Sequence, residues 1–214
     1  MQSMLQSIPA VLFGLPLLAY LLGSIPWGLV LTRWFTSVDI RQHGSGNIGA
    51  TNVRRLVGMP LGLLTLAGDM LKGAVPVYLA SRVIGLDPAL HQVFVSVTAA
   101  AAFGGHLFPF YLKMKSGGKG VATAFGCFIV MTPLGTALVL ALFLLVVWLS
   151  RRVSAGSLAA AAVLAPAVWW STRSLIYCVC ALLIALMIFS RHKENIRRLL
   201  NGSEPEIGQG PHTG

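Results

Sequence analysis

Three polar segments interrupt an otherwise apolar chain, and each combines glycine, hydroxyl or amide groups with cations. The first runs from Gly44 to Arg55 and reads GSGNIGATNVRR. Its glycines allow backbone N–H groups to turn inward, its hydroxyls and amides add donors, and its arginines can grip a phosphate with paired hydrogen bonds. The segment is therefore predicted to bind an anion. The residues that could supply contacts are Gly44, Ser45, Gly46, Asn47, Gly49, Thr51, Asn52 and Arg55.

Two soluble nucleotide-binding motifs fit this segment only in part. The string matches GxGxxG, but the sequence lacks the preceding strand and the βαβ unit of a dinucleotide site. A Walker phosphate loop would need a lysine where Ala50 stands. Both are rejected, and a flexible glycine-rich connector remains as the alternative without a function.

The second segment contains a glycine-rich turn that leads directly into an apolar helix. Gly117, Gly118, Lys119 and Gly120 precede the helix predicted from Val121. Free N–H groups, the positive end of the helix dipole and an ammonium group would meet there, which favours a bound phosphate. Lys119 is the predicted functional cation of this turn.

Other residues of the second segment have simpler interpretations. Lys113 and Lys115 are typical of lysines that anchor a helix end on the cytoplasmic side. His106 does not begin an HxxxxD motif, because Tyr111 stands where the aspartate would be. We expect His106 to pack or to form a hydrogen bond.

The third segment, from Arg191 to Glu204, reads RHKENIRRLLNGSE. In a helix, His192, Asn195 and Leu199 would share one face, and Lys193 and Arg197 would occupy another. One face could then line a site while the other meets lipid headgroups. A plain amphipathic helix at the membrane surface is the alternative, but it would not require the His and Asn pair.

Three further polar residues lie close to apolar runs. Asp69 and Lys72 are one helical turn apart inside such a run, where ionisable groups are costly unless they pair or face a polar cavity. They could form a structural pair or support a site. Ser154 follows two arginines and is either a helix cap or a phosphate contact.

The composition indicates a chain that is solvated mainly by lipid. Of its 214 residues, 56% are hydrophobic and 10% charged, and its mean hydropathy is +0.77. The net charge of +10 comes from basic residues at the ends of apolar runs, which argues against nucleic acid as a partner. The three cysteines lack metal-binding spacing and are predicted to be core residues without a disulfide or zinc. The first apolar run lacks preceding Lys or Arg, so it is predicted to be a span and not a cleaved signal peptide.

The apolar runs predict an all-α, multi-spanning membrane protein. Six or seven crossings are possible, depending on whether Pro133 divides Val121–Leu149 into two helices. Seven crossings with the N-terminus outside and the C-terminus inside leave only Arg82 and Arg173 outside, which is the best agreement with the positive-inside rule. The runs are Ile8–Trp34, Leu56–Ile84, Gln92–Leu112, Val121–Met131, Leu134–Leu149, Ser157–Trp170 and Leu175–Phe189.

This topology predicts that the three polar segments lie on the same cytoplasmic face. Residues 1–206 are predicted to form one membrane domain, and residues 207–214 a disordered tail.

At this point the sequence resembles the PlsY family of bacterial membrane acyltransferases. The resemblance rests on GSGNIGATNVRR, on GDMLKG from Gly68 to Gly73, on GHLFPFYLKMKSGGKGVAT from Gly105 to Thr123, and on HKENIRRLLNGSE from His192. It implies transfer of a fatty acyl group from acyl phosphate to the 1-hydroxyl of glycerol 3-phosphate, giving lysophosphatidic acid and inorganic phosphate. It also implies a monomer in the bacterial inner membrane that contacts lipids and needs no coenzyme A, metal or other cofactor.

The resemblance assigns roles to individual residues. Those expected to line the acceptor site and the reaction centre are Ser45, Arg55, Lys119, His192 and Asn195. Thr51 and the backbone near Gly117 and Gly118 are expected to hold the donor phosphate, with Asp69, Lys72, His106 and Glu204 in support. The proton acceptor stays open between His192 and the phosphate of the substrate itself.

Two other functions remain compatible with the sequence. A transporter for a phosphorylated solute would also use broken helices and helix N-termini, but its site would lie near the bilayer midplane, where only Asp69 and Lys72 are charged. A lipid-binding scaffold would use the same cations without catalysing a reaction.

Overall fold

The computed structural model describes residues 2–115 and 117–208, with side chains from residue 10 onward. Within these residues every regular element is helical, which confirms the predicted all-α class. A single 3-10 turn, Phe110–Leu112, follows the fifth helix. The α-helices are α1 Gln2–Gly23, α2 Trp27–Phe35, α3 Ala50–Val57, α4 Met59–Ser81, α5 Pro88–Leu107, α6 Val121–Met131, α7 Pro133–Ser150, α8 Val153–Thr172, α9 Leu175–Arg191 and α10 Lys193–Leu200.

The lengths of these helices bear on the number of membrane crossings. Four of the described helices, α4, α5, α7 and α8, are individually long and apolar enough to cross a membrane. The pairs α1/α2 and α9/α10, bent by 44° and 62°, raise the number to six. A seventh crossing requires α6, whose 11 residues reach about 16 Å, roughly half of the hydrocarbon core. Seven crossings and the N-out, C-in orientation therefore stay predictions.

The first apolar run is divided, whereas the sequence predicts a single span from Ile8 to Trp34. The helix stops at Gly23 and restarts at Trp27, because Pro26 has no N–H to continue the ladder. Lys72 of α4 reaches this break and donates from Nζ to the Ile25 carbonyl oxygen at 2.9 Å. The break is thus tied to a buried charge on another helix.

Two other predicted runs begin or end differently in the structure. Gly58, with φ of 102°, separates α3 from α4, so the run that begins at Leu56 contains a helix boundary. The run predicted to reach Leu112 leaves the α-helix at Leu107. In both cases apolar residues continue past the end of the helix, which hydropathy alone does not reveal.

The polar connections lie at one end of the helix bundle. Lys119, just before α6, donates to Asn195 of α10, and Arg152, just before α8, donates from Nε to the Glu204 carbonyl oxygen at 3.0 Å. At the other end, Ser174 Oγ donates to Gln92 Oε1 at 2.6 Å. The second and third polar segments therefore share one end of the bundle.

Small residues allow the helices of the core to pack closely. A Cβ on Gly23 of α1 would lie 2.1 Å from the Ala102 carbonyl oxygen of α5. Such close backbone approach is typical of helix packing in membranes. Cys127 and Cys180 are buried in this core, as the sequence predicts, whereas Cys178 is half-buried; all three are free thiols.

The segment after α10 folds back onto the turn between α7 and α8. Ile207, the first residue of the predicted disordered tail, donates its N–H to the Arg151 carbonyl oxygen at 2.8 Å. Ile207 is therefore attached to the turn between α7 and α8, and the boundary of the domain stays a prediction. Residues 209–214 of that predicted tail, and Ser116 of the second segment, lie outside the described residues.

Candidate active site

The turn Gly117–Gly120, called the glycine loop below, is packed against the end of α5. Gly118 donates its N–H to the His106 carbonyl oxygen at 3.1 Å, and a Cβ on Gly118 would lie 2.0 Å from His106 Nε2. Only glycine fits at this contact. The loop ends at α6, which begins without a side-chain cap. The first N–H groups of α6 are thus open to an anion.

Lys119 is held by a chain of polar contacts that reaches the third segment. Its ammonium group donates a hydrogen bond to Asn195 Oδ1. Asn195 Nδ2 donates to Glu204 Oε1 at 2.6 Å, and Arg198 Nε donates to Glu204 Oε2 at 2.7 Å. Asn195 and Glu204 are buried. The structure therefore fixes the position of Lys119 through two buried side chains.

The electrostatic surroundings of Lys119 also involve the first segment. Burial lowers the pKa of Lys119 to about 8; Glu204 opposes this shift, whereas Arg198 and Arg55 add to it. Arg55 thus lies close enough to repel the ammonium group. At neutral pH Lys119 is therefore mostly protonated, and an anionic ligand would stabilise its charge further.

His192 lies at the bend between α9 and α10, and its ring is buried. Its Nδ1 donates to the Ile188 carbonyl oxygen at 2.8 Å, since a carbonyl can only accept. In the neutral ring the lone pair is therefore on Nε2. No described residue forms a hydrogen bond to Nε2, so this atom is available to accept a proton or a hydrogen bond from a ligand.

Glu204 and Ser154 adjoin each other next to this chain of contacts. Burial would raise the pKa of Glu204, but the adjoining Ser154 hydroxyl and the hydrogen bonds from Asn195 and Arg198 hold it below its usual range. Glu204 is thus a carboxylate. The Ser154 hydroxyl is buried and lies outside hydrogen-bonding geometry with every described partner.

The first segment is built around the side chain of Asn52. Its Oδ1 accepts the Ser45 N–H at 3.0 Å, and its Nδ2 donates to the carbonyl oxygens of Ile40, His43 and Asn47. Gly44 has a φ of +62°, and a Cβ there would lie 2.4 Å from Asn52 Oδ1. The sequence predicts Asn52 as a substrate contact, but its buried amide instead fills the interior of the loop and organises it.

The other polar side chains of the first segment form fewer hydrogen bonds than Asn52 does. Ser45 and Thr51 are exposed, and neither side chain has a hydrogen bond to a described residue. Asn47 Oδ1 accepts the Gly49 N–H at 2.9 Å, and Gly46 has a φ of +65°. Arg55 is half-buried at the end of α3. The hydroxyl groups and Arg55 are thus the groups of this segment that are free to meet a ligand.

A buried polar cluster lies behind the glycine loop. Lys72 Nζ pairs with Asp69 Oδ1 at 2.8 Å, and both side chains are 3% exposed. His106 Nδ1 lies 3.6 Å from the same oxygen and 3.1 Å from Thr123 Oγ1. Because His106 also contacts Gly118, this cluster supports the loop from inside the bundle. Thr123 is a member that the sequence analysis did not identify.

Two arginines near the site were also missed by the sequence analysis. Arg198 donates to Glu204, and Arg152 Nε donates to the Glu204 carbonyl oxygen. The sequence analysis counted both among the cytoplasmic arginines and gave neither a role in the site. Their proximity in sequence to Asn195 and Ser154 was the available signal, but the direction of an arginine side chain follows from tertiary packing.

A helix bundle with a cationic, glycine-lined site at one end is typical of a membrane protein that binds phosphorylated ligands. A family model described as glycerol-3-phosphate acyltransferase matches residues 13–202. The chain belongs to this glycerol-3-phosphate acyltransferase family.

Individual relatives agree over most of the chain. A glycerol-3-phosphate acyltransferase of Syntrophotalea carbinolica is 52% identical over 188 residues, covering 88% of this chain and 93% of the relative. One of Trichlorobacter lovleyi is 46% identical, with coverages of 88% and 94%.

Two solved structures share the fold. The crystal structure of PlsY, an integral membrane glycerol 3-phosphate acyltransferase, in its glycerol 3-phosphate form has a TM-score of 0.85 at 34% identity. That match covers 92% of this chain and 96% of the other. The lysophosphatidic acid form has a TM-score of 0.83, also at 34% identity, and covers 92% and 95%. With its apolar helices, this likeness identifies the chain as a multi-pass integral membrane protein.

Proposed function

We propose that this protein transfers a fatty acyl group from acyl phosphate to the 1-hydroxyl of glycerol 3-phosphate, giving lysophosphatidic acid and inorganic phosphate. The observation that carries the proposal is the position of Lys119. It stands at the uncapped start of α6, is held by Asn195 and Glu204, and lies within electrostatic range of Arg55. The family relationship and the ligands named for the two PlsY crystal structures support the same reaction.

The charges of the site suit two phosphorylated reactants. Donor and acceptor each bring a phosphate, and these anions repel unless the site supplies positive groups and N–H donors. Lys119 and Arg55 supply charge, and the start of α6 supplies N–H groups. The acyl chain of the donor and the product both belong in lipid, which accounts for a membrane-embedded enzyme.

Each group has a role in the proposed reaction. Ser45, Arg55, Lys119, His192 and Asn195 bind the acceptor and line the reaction centre. The donor phosphate is held by the free N–H groups at the start of α6, with Thr51 and Ser154 as further phosphate contacts. The loops around it are shaped by Asn47 and by the glycines Gly44, Gly46, Gly49, Gly117, Gly118 and Gly120.

The acyl transfer itself is a single substitution at the donor carbonyl. The 1-hydroxyl oxygen forms a bond to the carbonyl carbon, and the bond from this carbon to the phosphate oxygen breaks. Inorganic phosphate leaves with the bonding electrons. The hydroxyl proton passes to His192 Nε2 or to the phosphate of glycerol 3-phosphate. Because acyl phosphate is already activated, orientation and charge neutralisation supply most of the acceleration.

The proposed location of the site gives access to both kinds of substrate. The site faces the cytoplasm in the bacterial inner membrane, where both soluble phosphates and membrane lipid are accessible. The enzyme acts as a monomer and needs no metal or coenzyme.

The reaction can be tested directly with the purified protein. Given acyl phosphate and radiolabelled glycerol 3-phosphate, it should form labelled lysophosphatidic acid, and replacing the donor by an acyl coenzyme A thioester should abolish the product. Product formed only from the thioester would contradict the proposed donor. Folded protein that makes no product, but moves glycerol 3-phosphate into vesicles, would support a transporter instead.

The pKa of Lys119 predicts how the reaction depends on pH. Since Lys119 titrates at about 8 in the free protein, kcat/KM should fall tenfold per pH unit above that value as the ammonium group loses its proton. The Lys119→Arg variant keeps its charge, so whatever activity it retains should not fall between pH 8 and 9.5. Measurement of kcat/KM from pH 6.5 to 9.5 tests this. A wild-type profile that is flat to pH 9.5 would exclude a charge-dependent role for Lys119.

A further inference from the structure

Arg191, the last residue of α9, is attached to the glycine loop by its guanidinium group. Its Nη2 donates to the Gly117 carbonyl oxygen at 2.8 Å and to the Leu107 carbonyl oxygen at 3.3 Å. Its Nε donates to the Gly118 carbonyl oxygen at 3.2 Å. The guanidinium carbon also lies 5.8 Å from the centre of the Phe108 ring. A single side chain thus contacts both the end of α5 and the loop.

These contacts determine which groups of the loop remain free. Arg191 occupies the carbonyl oxygens of Gly117 and Gly118, which would repel a phosphate, and holds them away from it. His106 supports Gly118 by accepting its N–H and by packing its ring against it. The loop is therefore held between α9 and α5, while the N–H groups at the start of α6 stay unoccupied.

The position of Arg191 in the chain links two parts of the site. The next residue, His192, and Asn195 on α10 face Lys119, and Asn195 accepts the hydrogen bond of Lys119. Because Arg191 and His192 are adjacent, the hydrogen bonds from Arg191 to the loop fix the distance between the α9/α10 bend and the start of α6. Loss of these hydrogen bonds would displace the loop relative to the third segment.

We propose that Arg191 is a positioning residue that orients the glycine loop for the donor phosphate. This assignment rests on the proposed function, since the donor phosphate is the ligand of the loop. Arg191 acts through the loop backbone and not by touching either substrate. Its loss should therefore weaken the use of acyl phosphate more than the use of glycerol 3-phosphate.

Arg191→Lys tests this inference with little change in size or charge. A lysine cannot make the three forked hydrogen bonds, so the KM for acyl phosphate should rise about tenfold. The KM for glycerol 3-phosphate should rise less than about threefold, because Arg191 holds the backbone of Gly117 and Gly118, whereas Lys119 of the acceptor site is also held by Asn195. Arg197→Lys is the matched control, because Arg197 is exposed on α10 and its side chain has no hydrogen bond to a described residue. It should leave both KM values unchanged.

Hydrogen–deuterium exchange of the full-length protein in detergent gives a second measurement that does not depend on activity. The Gly118 amide, which donates to His106, should exchange at least about tenfold faster in Arg191→Lys and at the wild-type rate in Arg197→Lys. Unchanged exchange of the loop, unchanged KM values or equal rises in both KM values would each overturn the assignment. If wild-type protein makes no lysophosphatidic acid, the proposed function fails, and the exchange measurement alone decides whether Arg191 holds the loop.

Discussion

Replacing Lys119 by alanine is expected to lower kcat about 10³-fold, the largest effect on activity of any single substitution in this site. In the proposed reaction the ammonium group neutralises both phosphates, and Asn195 and Glu204 hold it in place. Its loss removes a fixed positive charge that no water molecule can replace at the same position. The rate of lysophosphatidic acid formation at saturating concentrations of both substrates measures the effect.

Lys115→Ala is the control for this substitution. Lys115 is exposed in the same connection between α5 and α6 and carries the same charge, but its side chain has no hydrogen bond or ion pair with a described residue. If general attraction of anions to the surface explained the role of Lys119, both variants would lose activity to a similar degree. A loss for Lys119→Ala of less than about tenfold would contradict a direct role at the reaction centre.

Replacing Lys72 by methionine is expected to have the largest effect on stability, lowering the free energy of unfolding by about 3–5 kcal/mol. Methionine matches the length of the lysine stem but leaves Asp69 as an uncompensated charge within the bundle, where both side chains are 3% exposed. It also removes the donor to the Ile25 carbonyl oxygen at the break between α1 and α2. Unfolding in a graded series of sodium dodecyl sulfate concentrations measures the change.

The double variant Asp69→Leu/Lys72→Met removes both charges of the pair at once. Because it leaves no unpaired ion, it should be more stable than Lys72→Met by about 2 kcal/mol or more. Thr65→Val, at a buried position of the same helix whose hydroxyl only donates to Leu61, should cost much less. If Lys72→Met lowered the free energy of unfolding no more than Thr65→Val, the Asp69–Lys72 pair would have to be accessible to water. The pair could then not account for the support of His106 and the glycine loop.

The coarse features of this protein follow from composition and periodicity. Apolar runs separated by basic segments determine an all-α membrane protein, because only helices satisfy the backbone inside lipid. The spacing Gly117-Gly118-Lys119-Gly120 before an apolar run determines a cation at the start of α6. The sequence did not reveal the break at Pro26 as a helix boundary. The residues on both sides are apolar, and hydropathy does not show where a helix changes direction.

The detailed site was decided by contacts between residues that are distant in sequence. Asn52 looked like a ligand contact from its type alone, yet its amide turns inward because four backbone groups of a curled loop need partners. Arg191 resembled other membrane-surface arginines, but the end of α5 and the glycine loop together supply three carbonyl oxygens for it.

The sequence by itself determined which residue types could neutralise phosphates and at which end of the helices they stand. Only the tertiary structure decided that Lys119 meets Asn195, 76 positions away, and that Glu204 lies behind them. The physical reason is that local spacing specifies the face of a helix, whereas the partner of a side chain depends on which helices pack together.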